Sequence, residues 1–351
     1  MKKGKLILQD GSSFEGFSFG YEKSVAGEVV FNTAMVGYPE SLTDPSYNSQ
    51  ILVFTYPLIG NYGVPDSKIE NDIEMNFESS QIHVSGLIVS NYSENYSHWK
   101  ASKSLSDWLI ENKVPALCGI DTRALTKKLR EYGTMAGKII FDEDIYFKDI
   151  TQENLVKEVS CKEVKTYGKG KKKIVLVDCG AKYNIIRCLM EFDTEITVVP
   201  WDYDFNTLSY DGLFISNGPG NPKMCDITIE NIKKSFEKNK PTMGICLGNQ
   251  LLALASGADT FKLKYGHRSH NQPVKLYGTN RVYISSQNHG YAVDDKTLPD
   301  DWDIFFTNLN DNTNEGIKHK TKPIFSVQFH PEAFSGPNDT KFLFEEFIKL
   351  L

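Results

Sequence analysis

The sequence predicts an α/β fold in two parts: an amino-terminal α+β domain, then a domain with a mainly parallel central sheet flanked by helices. After about residue 170, short apolar runs alternate with amphipathic stretches, which is typical of strands joined by crossover helices. Glycine-containing turns follow several of these runs. In the first 150 residues, by contrast, β-branched runs are mixed with turn residues, and this mixture predicts an α+β arrangement.

Four strands and three helices are predicted in the second half of the chain. The strands lie within 174–177, 195–200, 211–220 and 241–246, and the helices within 183–192, 226–239 and 247–256. On the second of these helices, Ile229, Ile232 and Phe236 recur at helical spacing and form one apolar face. In the first half, the clearest helix begins after Asp121, a suitable amino-terminal cap, and ends at Gly133.

A polar stretch that contains Gly168, Gly170 and several lysines separates the two halves. Stretches of this composition are typical of linkers between domains. We therefore predict an amino-terminal domain over 1–150, a linker over 151–172 and a second domain over 173–351.

Composition narrows the class of protein. The chain has 351 residues and a formal net charge of -6, which disfavours a partner that is bound through its phosphate backbone. No apolar segment reaches about 18 residues, so no membrane-spanning helix is expected. The six cysteines have no paired spacing, which favours reduced thiols. We expect a soluble cytoplasmic protein that binds neither nucleic acid nor a membrane.

Cys246 lies at the junction between a predicted strand and a predicted helix, with Gly244 and Gly248 on either side of it. A sharp strand-to-helix turn crowds the backbone, and small flanking residues relieve that crowding; this is the logic of a nucleophile elbow. The start of a helix also favours a thiolate. The alternative is an ordinary buried cysteine in an apolar core.

A nucleophilic cysteine needs a base, and His330 is the best candidate. It follows an apolar run that reads as a strand, and Glu332, two residues later, could orient its imidazole. A surface histidine beside a chance glutamate is the alternative, and His289 is a rival base. His267 and His270 suggest a metal, but no third ligand is evident, so no metal is predicted.

Residues 216–222 form a glycine-containing loop after a predicted strand. Backbone can approach a ligand closely at such a loop. The amide of Gly218 could therefore join that of Leu247, at the start of the helix, to stabilise an oxyanion.

Together these pieces resemble the class I glutamine amidotransferase family, which carries a Gly-x-Cys-x-Gly elbow, a late His-Pro-Glu and a glycine-rich oxyanion loop in this order. The first half resembles the small-subunit family of carbamoyl-phosphate synthase, in residues 27–63 and 120–137. Residues 177–189 and 286–299 agree with it as well. The resemblance implies hydrolysis of glutamine to glutamate and ammonia through a thioester.

Roles follow from the resemblance residue by residue. It implies that Cys246 is the nucleophile, His330 the base and Glu332 the partner that orients it. The oxyanion-hole amides would be those of Leu247 and Gly218, and the residues that hold glutamine would be Ser46, Gly220, Gln250, Asn288, Gly290 and Tyr291. The sequence departs from the family at Asn249, where histidine is common, and at Ser269 and His270, where a Gly-Gly pair is usual.

The sequence contains no phosphate-binding loop, so no cofactor is expected in this chain. The resemblance implies a partner, a large synthetase subunit that would bind ATP and Mg²⁺ and receive the ammonia for pyrimidine or arginine synthesis. Two alternatives stay open: a catalytically silent regulatory subunit of an ammonia-using synthase, and a stand-alone cysteine amidohydrolase.

Overall fold

The computed structural model describes residues 1–351 and divides them into two compact units. The amino-terminal unit comprises 1–69 and 74–152, and the carboxy-terminal unit comprises 70–73 and 153–351. No helix in the chain combines the length and the apolar character needed to cross a bilayer.

The amino-terminal unit is built around a closed β-barrel. Its helices are α1 (Tyr38–Thr43), α2 (Leu105–Glu111) and α3 (Thr122–Tyr132). The strands up to residue 140 are β1 (Lys3–Leu8), β2 (Ser13–Ser18), β3 (Val25–Asn32), β4 (Gln50–Phe54), β5 (Leu58–Ile59), β6 (Val64–Pro65), β7 (Ile69–Glu70), β8 (Ile73–Glu74), β9 (Gly86–Ile88), β10 (Asn91–Tyr92), β11 (Ala101–Lys103), β12 (Ala116–Cys118) and β13 (Met135–Ile140). The barrel order is β1-β13-β3-β4-β9-β12-β2, and β2 pairs with β1 to close it.

Strand patterning explains the barrel. Leu6 and Leu8 alternate with more exposed neighbours along β1, as expected when one face of a strand meets the core. All of β4 is buried, because it pairs in parallel with both β3 and β9. The Asp121 carboxylate accepts the Ala124 amide hydrogen at 2.8 Å, so the predicted cap of α3 is confirmed.

The carboxy-terminal unit is organised on one ten-stranded sheet. Its helices are α4 (Val156–Val159), α5 (Tyr183–Met190), α6 (Asp226–Ser235), α7 (Leu247–Ser256) and α8 (Phe342–Leu350). Its strands are β14 (Lys165–Gly168), β15 (Lys172–Asp178), β16 (Thr194–Pro200), β17 (Gly212–Ile215), β18 (Thr242–Ile245), β19 (Asp259–Leu276), β20 (Val282–Asp294), β21 (Trp302–Asn308), β22 (Asn314–His319) and β23 (Ile324–Val327). The sheet order is β14-β16-β15-β17-β18-β23-β22-β21-β19-β20.

The centre of this sheet matches the prediction. Strands β16, β15, β17, β18 and β23 are parallel neighbours, and the predicted helices are present as α5, α6 and α7. The predicted α/β class is therefore confirmed. The other pairings are antiparallel and include the long hairpin of β19 and β20, which the sequence analysis did not predict.

The expected linker over 151–172 differs in the structure. Its residues from Glu153 onward belong to the carboxy-terminal unit, and they contain α4 and β14. Strand β14 pairs antiparallel with β16 and forms an edge of the sheet. Lysines and glycines are typical of an exposed edge strand as much as of a linker, so composition alone did not distinguish the two.

The turn from β18 to α7 is held by close packing around two glycines. A Cβ on Gly244 would lie 2.7 Å from the carbonyl oxygen of Gly248. A Cβ on Gly248 would collide with the carbonyl oxygen of Ile215 on the neighbouring strand β17. The glycines therefore allow the helix to begin directly against the sheet.

Replacing Gly248 with alanine is expected to lower the free energy of unfolding by about 3 kcal/mol, since a backbone carbonyl cannot move aside as a flexible side chain would. Gly278→Ala is the matched control. A Cβ there meets open space, and only its positive φ of 73° is strained, at about 1 kcal/mol. Urea denaturation measures both variants. Equal losses would mean that the turn relaxes around a methyl group.

Candidate active site

Cys246 occupies the turn with an unusual backbone conformation. Its φ is 54° and its ψ is −103°, a region that side-chain-bearing residues rarely adopt. Its amide donates to the Val327 carbonyl at 2.8 Å, which ties the turn to β23. The sulfur is buried and lies 3.6 Å from the carbonyl oxygen of Asn288. The predicted elbow is thus present, with the thiol at the carboxyl end of a central strand.

His330 lies three residues beyond β23, and hydrogen bonds fix both its backbone and its imidazole ring. Its amide donates to the Ser286 carbonyl at 2.9 Å. Its Nδ1 is 2.7 Å from Oε1 of Glu332. This bond assigns the Nδ1 proton and leaves Nε2 for another partner. The structure therefore pairs the predicted base with its predicted orienting carboxylate.

The Cys246 sulfur and the His330 imidazole interact. Burial and the Lys182 ammonium lower the pKa of His330, but Glu332 and the sulfur outweigh them and raise it to about 10. Nε2 of His330 makes no hydrogen bond to another residue, so it is available to the sulfur. The rival base, His289, instead directs Nδ1 to the Tyr291 carbonyl at 2.8 Å.

Glu332 is completely buried and is held by two cations. Oε1 is 2.7 Å from the Lys182 ammonium as well as from the imidazole. Burial raises the pKa of Glu332, but Lys182 and His330 outweigh it and lower the pKa to about 2. The Asn184 side chain donates to the Glu332 carbonyl, which fixes the backbone too. The carboxylate is therefore ionised and immobile.

The loop after β17 packs against the start of α7. Ser216 and Asn217 are completely buried, and the Asn217 side chain accepts the Lys182 amide hydrogen at 3.1 Å. At Gly218 a Cβ would lie 2.8 Å from a methyl carbon of Leu247 and would collide with the Cys179 carbonyl. The two predicted oxyanion-hole residues are thus brought together. Their role in catalysis stays a prediction.

Four of the predicted glutamine-binding residues lie on α7 or β20. Each is close to the Cys246 thiol or contacts a residue of the strand beside it. Gln250 donates to the Tyr291 carbonyl at 3.0 Å and to Gln328 at 3.1 Å, so its side chain braces β20. Asn288 contacts Cys246 through its carbonyl. Gly290 lies between Asn288 and Tyr291 on the same strand, beside the Arg268 guanidinium.

The other two predicted residues lie on loops. Gly220 lies within the oxyanion loop and has a φ of 86°, which favours glycine. Ser46 belongs to the amino-terminal unit, in the 3₁₀ turn Pro45–Tyr47, where its amide donates to the Asp44 carboxylate at 2.9 Å. Its role in a glutamine pocket stays a prediction.

Two of the three residues that depart from the family pattern make side-chain hydrogen bonds, whereas the buried hydroxyl of Ser269 has no partner. Asn249 is completely buried, accepts from Ser326 at 2.8 Å and donates to Gln328 at 3.3 Å. His270 makes a hydrogen bond of 2.8 Å with the Ser286 hydroxyl. Since Ser286 also accepts the amide hydrogen of His330 through its carbonyl, this departure supports the strand beside the base.

Sequence reasoning missed Lys182, Asn184 and Gln328. Each is buried and contacts Glu332 or Gln250. The first two lie within 177–189, a segment that supported the family resemblance and the start of a predicted helix but indicated no site residue. A lysine directly before a helix has no local pattern that distinguishes a buried ion pair from a solvated charge.

Lys182→Met should lower the free energy of unfolding by about 3 to 5 kcal/mol, because it leaves a buried carboxylate short of one cation. Lys320→Met is the matched control, since its partner Asp303 is 3.7 Å away and both side chains are 46% exposed, so the loss should stay below about 1 kcal/mol. Chemical denaturation compares them, and equal effects would contradict a structural role for the buried pair.

The raised pKa of His330 also predicts a pH dependence of stability. Its contribution is complete below the unfolded-state value of about 6.5 and is lost as the pH rises towards about 10. Glu332→Gln removes the carboxylate that raises it. The stability difference between wild type and Glu332→Gln should therefore shrink over this range, as measured by urea denaturation at several pH values. A difference that does not change with pH would disprove the linkage.

Two family descriptions match the chain. Residues 175–350 match "Glutamine amidotransferase class-I", and residues 6–139 match "Carbamoyl-phosphate synthase small chain, CPSase domain". The resemblance drawn from the motifs is therefore confirmed.

Three relatives are similar over nearly the whole chain. The multifunctional protein CAD of Squalus acanthias is 55% identical over 98% of this chain and 16% of its own length. The multifunctional protein pyr1-3 of Dictyostelium discoideum is 51% identical over 99% of this chain and 17% of its own. The mitochondrial carbamoyl-phosphate synthase [ammonia] of Aquarana catesbeiana is 51% identical over 99% and 24%, respectively. The chain thus spans less than a quarter of each relative's length.

One conclusion follows from the elbow, from the paired imidazole and carboxylate, and from the two family matches. This chain belongs to the class I glutamine amidotransferase family, and it carries the carbamoyl-phosphate synthase small-chain domain ahead of the amidotransferase domain.

Proposed function

We propose that the chain is the glutaminase component of a carbamoyl-phosphate synthase. It hydrolyses the side-chain amide of L-glutamine to glutamate and ammonia. One observation carries this proposal: a thiol on a strained strand-to-helix turn faces an imidazole that a buried carboxylate orients. These are the nucleophile, base and orienting group that acyl transfer needs.

In the first half of the reaction, the Cys246 thiolate attacks the amide carbon of glutamine. The negative charge that develops on the carbonyl oxygen is stabilised by the Leu247 and Gly218 amides. The His330 imidazolium gives its proton to the leaving nitrogen as the C–N bond breaks, so ammonia departs and a thioester with Cys246 remains. The raised pKa of His330 favours the protonated form that this step requires.

In the second half, water attacks the thioester carbon. Neutral His330 accepts a proton from that water, the C–S bond breaks, and glutamate leaves with the thiolate restored. Glu332 orients the imidazole and stabilises its positive charge, and Lys182 acts one step further away, by keeping Glu332 ionised. Ser46, Gly220, Gln250, Asn288, Gly290 and Tyr291 are the proposed glutamine-binding residues.

The ammonia would be consumed by a large synthetase chain or segment. That partner would supply ATP, Mg²⁺ and bicarbonate chemistry to make carbamoyl phosphate for pyrimidine or arginine synthesis. The much greater length of the relatives supports such a partner, whether fused or separate. The six free cysteines are compatible with the cytoplasmic location that we propose.

The name of the relative from Aquarana catesbeiana contains "[ammonia]", which favours a second possibility: a chain of this family that supports synthesis without glutamine hydrolysis. The retained Cys246, His330 and Glu332 argue for the glutaminase. A stand-alone cysteine amidohydrolase would share these residues but would need no synthetase partner.

Cys246→Ser should reduce glutamine hydrolysis by about 10³-fold or more, because a hydroxyl is a far weaker nucleophile in this setting. Cys118→Ser, at a thiol on β12 in the amino-terminal unit, is the control and should keep wild-type activity. Glutamate release is measured with and without the large synthetase chain. Trapping with hydroxylamine should give γ-glutamyl hydroxamate only where the thioester forms.

Wild-type protein that releases no more glutamate than Cys246→Ser, even with the synthetase chain present, would contradict the proposal. Carbamoyl phosphate formed from ammonia but not from glutamine would then identify the silent subunit. Hydrolysis of other amides, with no effect of the synthetase chain, would identify the stand-alone hydrolase.

A further inference from the structure

A second cluster of chemistry-bearing residues lies where β19, β20 and β22 carry His267, His289 and Glu315. All three side chains are buried. One nitrogen from each histidine and one carboxylate oxygen lie within 4.8 Å of one another. The reaction proposed above uses none of these groups.

Both ring nitrogens of His289 face hydrogen-bond acceptors, although a neutral imidazole carries only one N–H proton. Its Nδ1 is 2.8 Å from the Tyr291 carbonyl oxygen, and its Nε2 is 3.1 Å from Oε1 of Gln287. The orientation of the Gln287 amide is fixed, because its Nε2 donates to the Ser285 hydroxyl at 3.2 Å and that hydroxyl donates to the Gln272 carbonyl at 2.9 Å. A neutral imidazole therefore faces two acceptors with one proton.

A cation at Nε2 resolves this conflict. If Nδ1 donates to the Tyr291 carbonyl, the lone pair of Nε2 is directed at Oε1 of Gln287, with Oε1 of Glu315 4.0 Å away. Three electron-rich atoms then face one another in a region sealed from water. A second proton on the imidazole would place a full charge on a side chain that is only 1% exposed, which burial opposes.

His267 and Glu315 complete the arrangement. Nε2 of His267 is 2.8 Å from the Asp311 carboxylate, so Nδ1 points inward, 3.4 Å from Oε1 of Glu315 and 3.5 Å from Nδ2 of Asn308. Asn308 donates to Oε1 of Glu315 at 2.8 Å, but Oε2 is buried with no hydrogen-bond partner. An unpartnered carboxylate oxygen in a closed site indicates a missing positive ligand.

Each histidine thus sends its outer nitrogen to an acceptor, a carboxylate for His267 and a backbone carbonyl for His289. This is the supporting arrangement that metal-binding histidines use, because it fixes the tautomer whose other nitrogen binds the ion. Bonds of about 2.1 Å in a tetrahedral site separate ligand atoms by about 3.4 Å. The separations of 3.4 and 4.0 Å come close to this value.

We propose that His267, His289 and Glu315 bind a Zn²⁺ ion, with Oε1 of Gln287 as the fourth ligand. Two imidazole nitrogens with a carboxylate are a ligand set that Zn²⁺ prefers. The sequence analysis predicted no metal because it considered His267 with His270. His270 bonds instead to Ser286, and the third ligand lies on a strand that the sequence did not place nearby.

The ion is structural. It joins three strands, and His289 directly follows Asn288, whose carbonyl lies 3.6 Å from the Cys246 sulfur. Binding Zn²⁺ would hold this part of β20 in register against β19 and β22, and so keep the wall beside the thiol rigid.

The test uses the full chain, produced in zinc-supplemented medium and purified without chelator, with metal measured by inductively coupled plasma mass spectrometry. Wild type should carry about one zinc ion per chain, and His289→Asn and Glu315→Gln should carry almost none. His319→Asn is the matched control. This histidine lies on β22 like Glu315 but pairs with Asp301, so the zinc content should not change.

A second measurement does not depend on the variants folding. Protein produced with Co²⁺ should show visible absorption bands of a four-coordinate site, and a strong chelator should lower the melting temperature of wild type until Zn²⁺ is restored. Wild type without bound zinc and without these bands would overturn the proposal. The cluster would then be an imidazolium–carboxylate pair.

Discussion

The site depends on the backbone conformation of Cys246. Residues held in such rare regions cost about 1 to 3 kcal/mol, and they persist only where the surroundings determine them fully. Here the surroundings are a strand with parallel neighbours on both sides, an amide bond to Val327 and two glycines packed against carbonyl groups. The same turn directs the sulfur away from the strand and starts α7. The stable central sheet therefore fixes the position of the Cys246 sulfur.

Next to the Cys246 sulfur, three buried ionisable side chains depend on one another for the stability of their charges. Lys182, Glu332 and His330 are all buried, and none of the charges would be tolerated alone. Together they leave an ionised carboxylate and a protonated imidazole, since the cation on one side and the sulfur on the other each stabilise the neighbouring group. The alignment of the imidazole therefore comes from electrostatics as much as from packing.

The sequence predicted what local patterns encode. Alternating strands and helices, the glycines beside Cys246 and the two-residue spacing of His330 and Glu332 are visible within short windows. Contacts set by long-range pairing were missed. His267 and His289 lie opposite each other only because β19 and β20 pair in that register, and Lys182 meets Glu332 from 150 positions away in the chain. The closed barrel and the antiparallel half of the sheet likewise depend on pairings that no local motif specifies.

Strand β14 has a practical consequence for dissecting the molecule. It covers the hydrogen-bonding edge of β16 with four residue pairs, and it lies upstream of the point where composition changes. A fragment that starts at residue 173 would uncover that edge and invite association between copies. A fragment that starts at residue 153 keeps its own edge strand, and it is the smaller piece we would choose for isotope labelling.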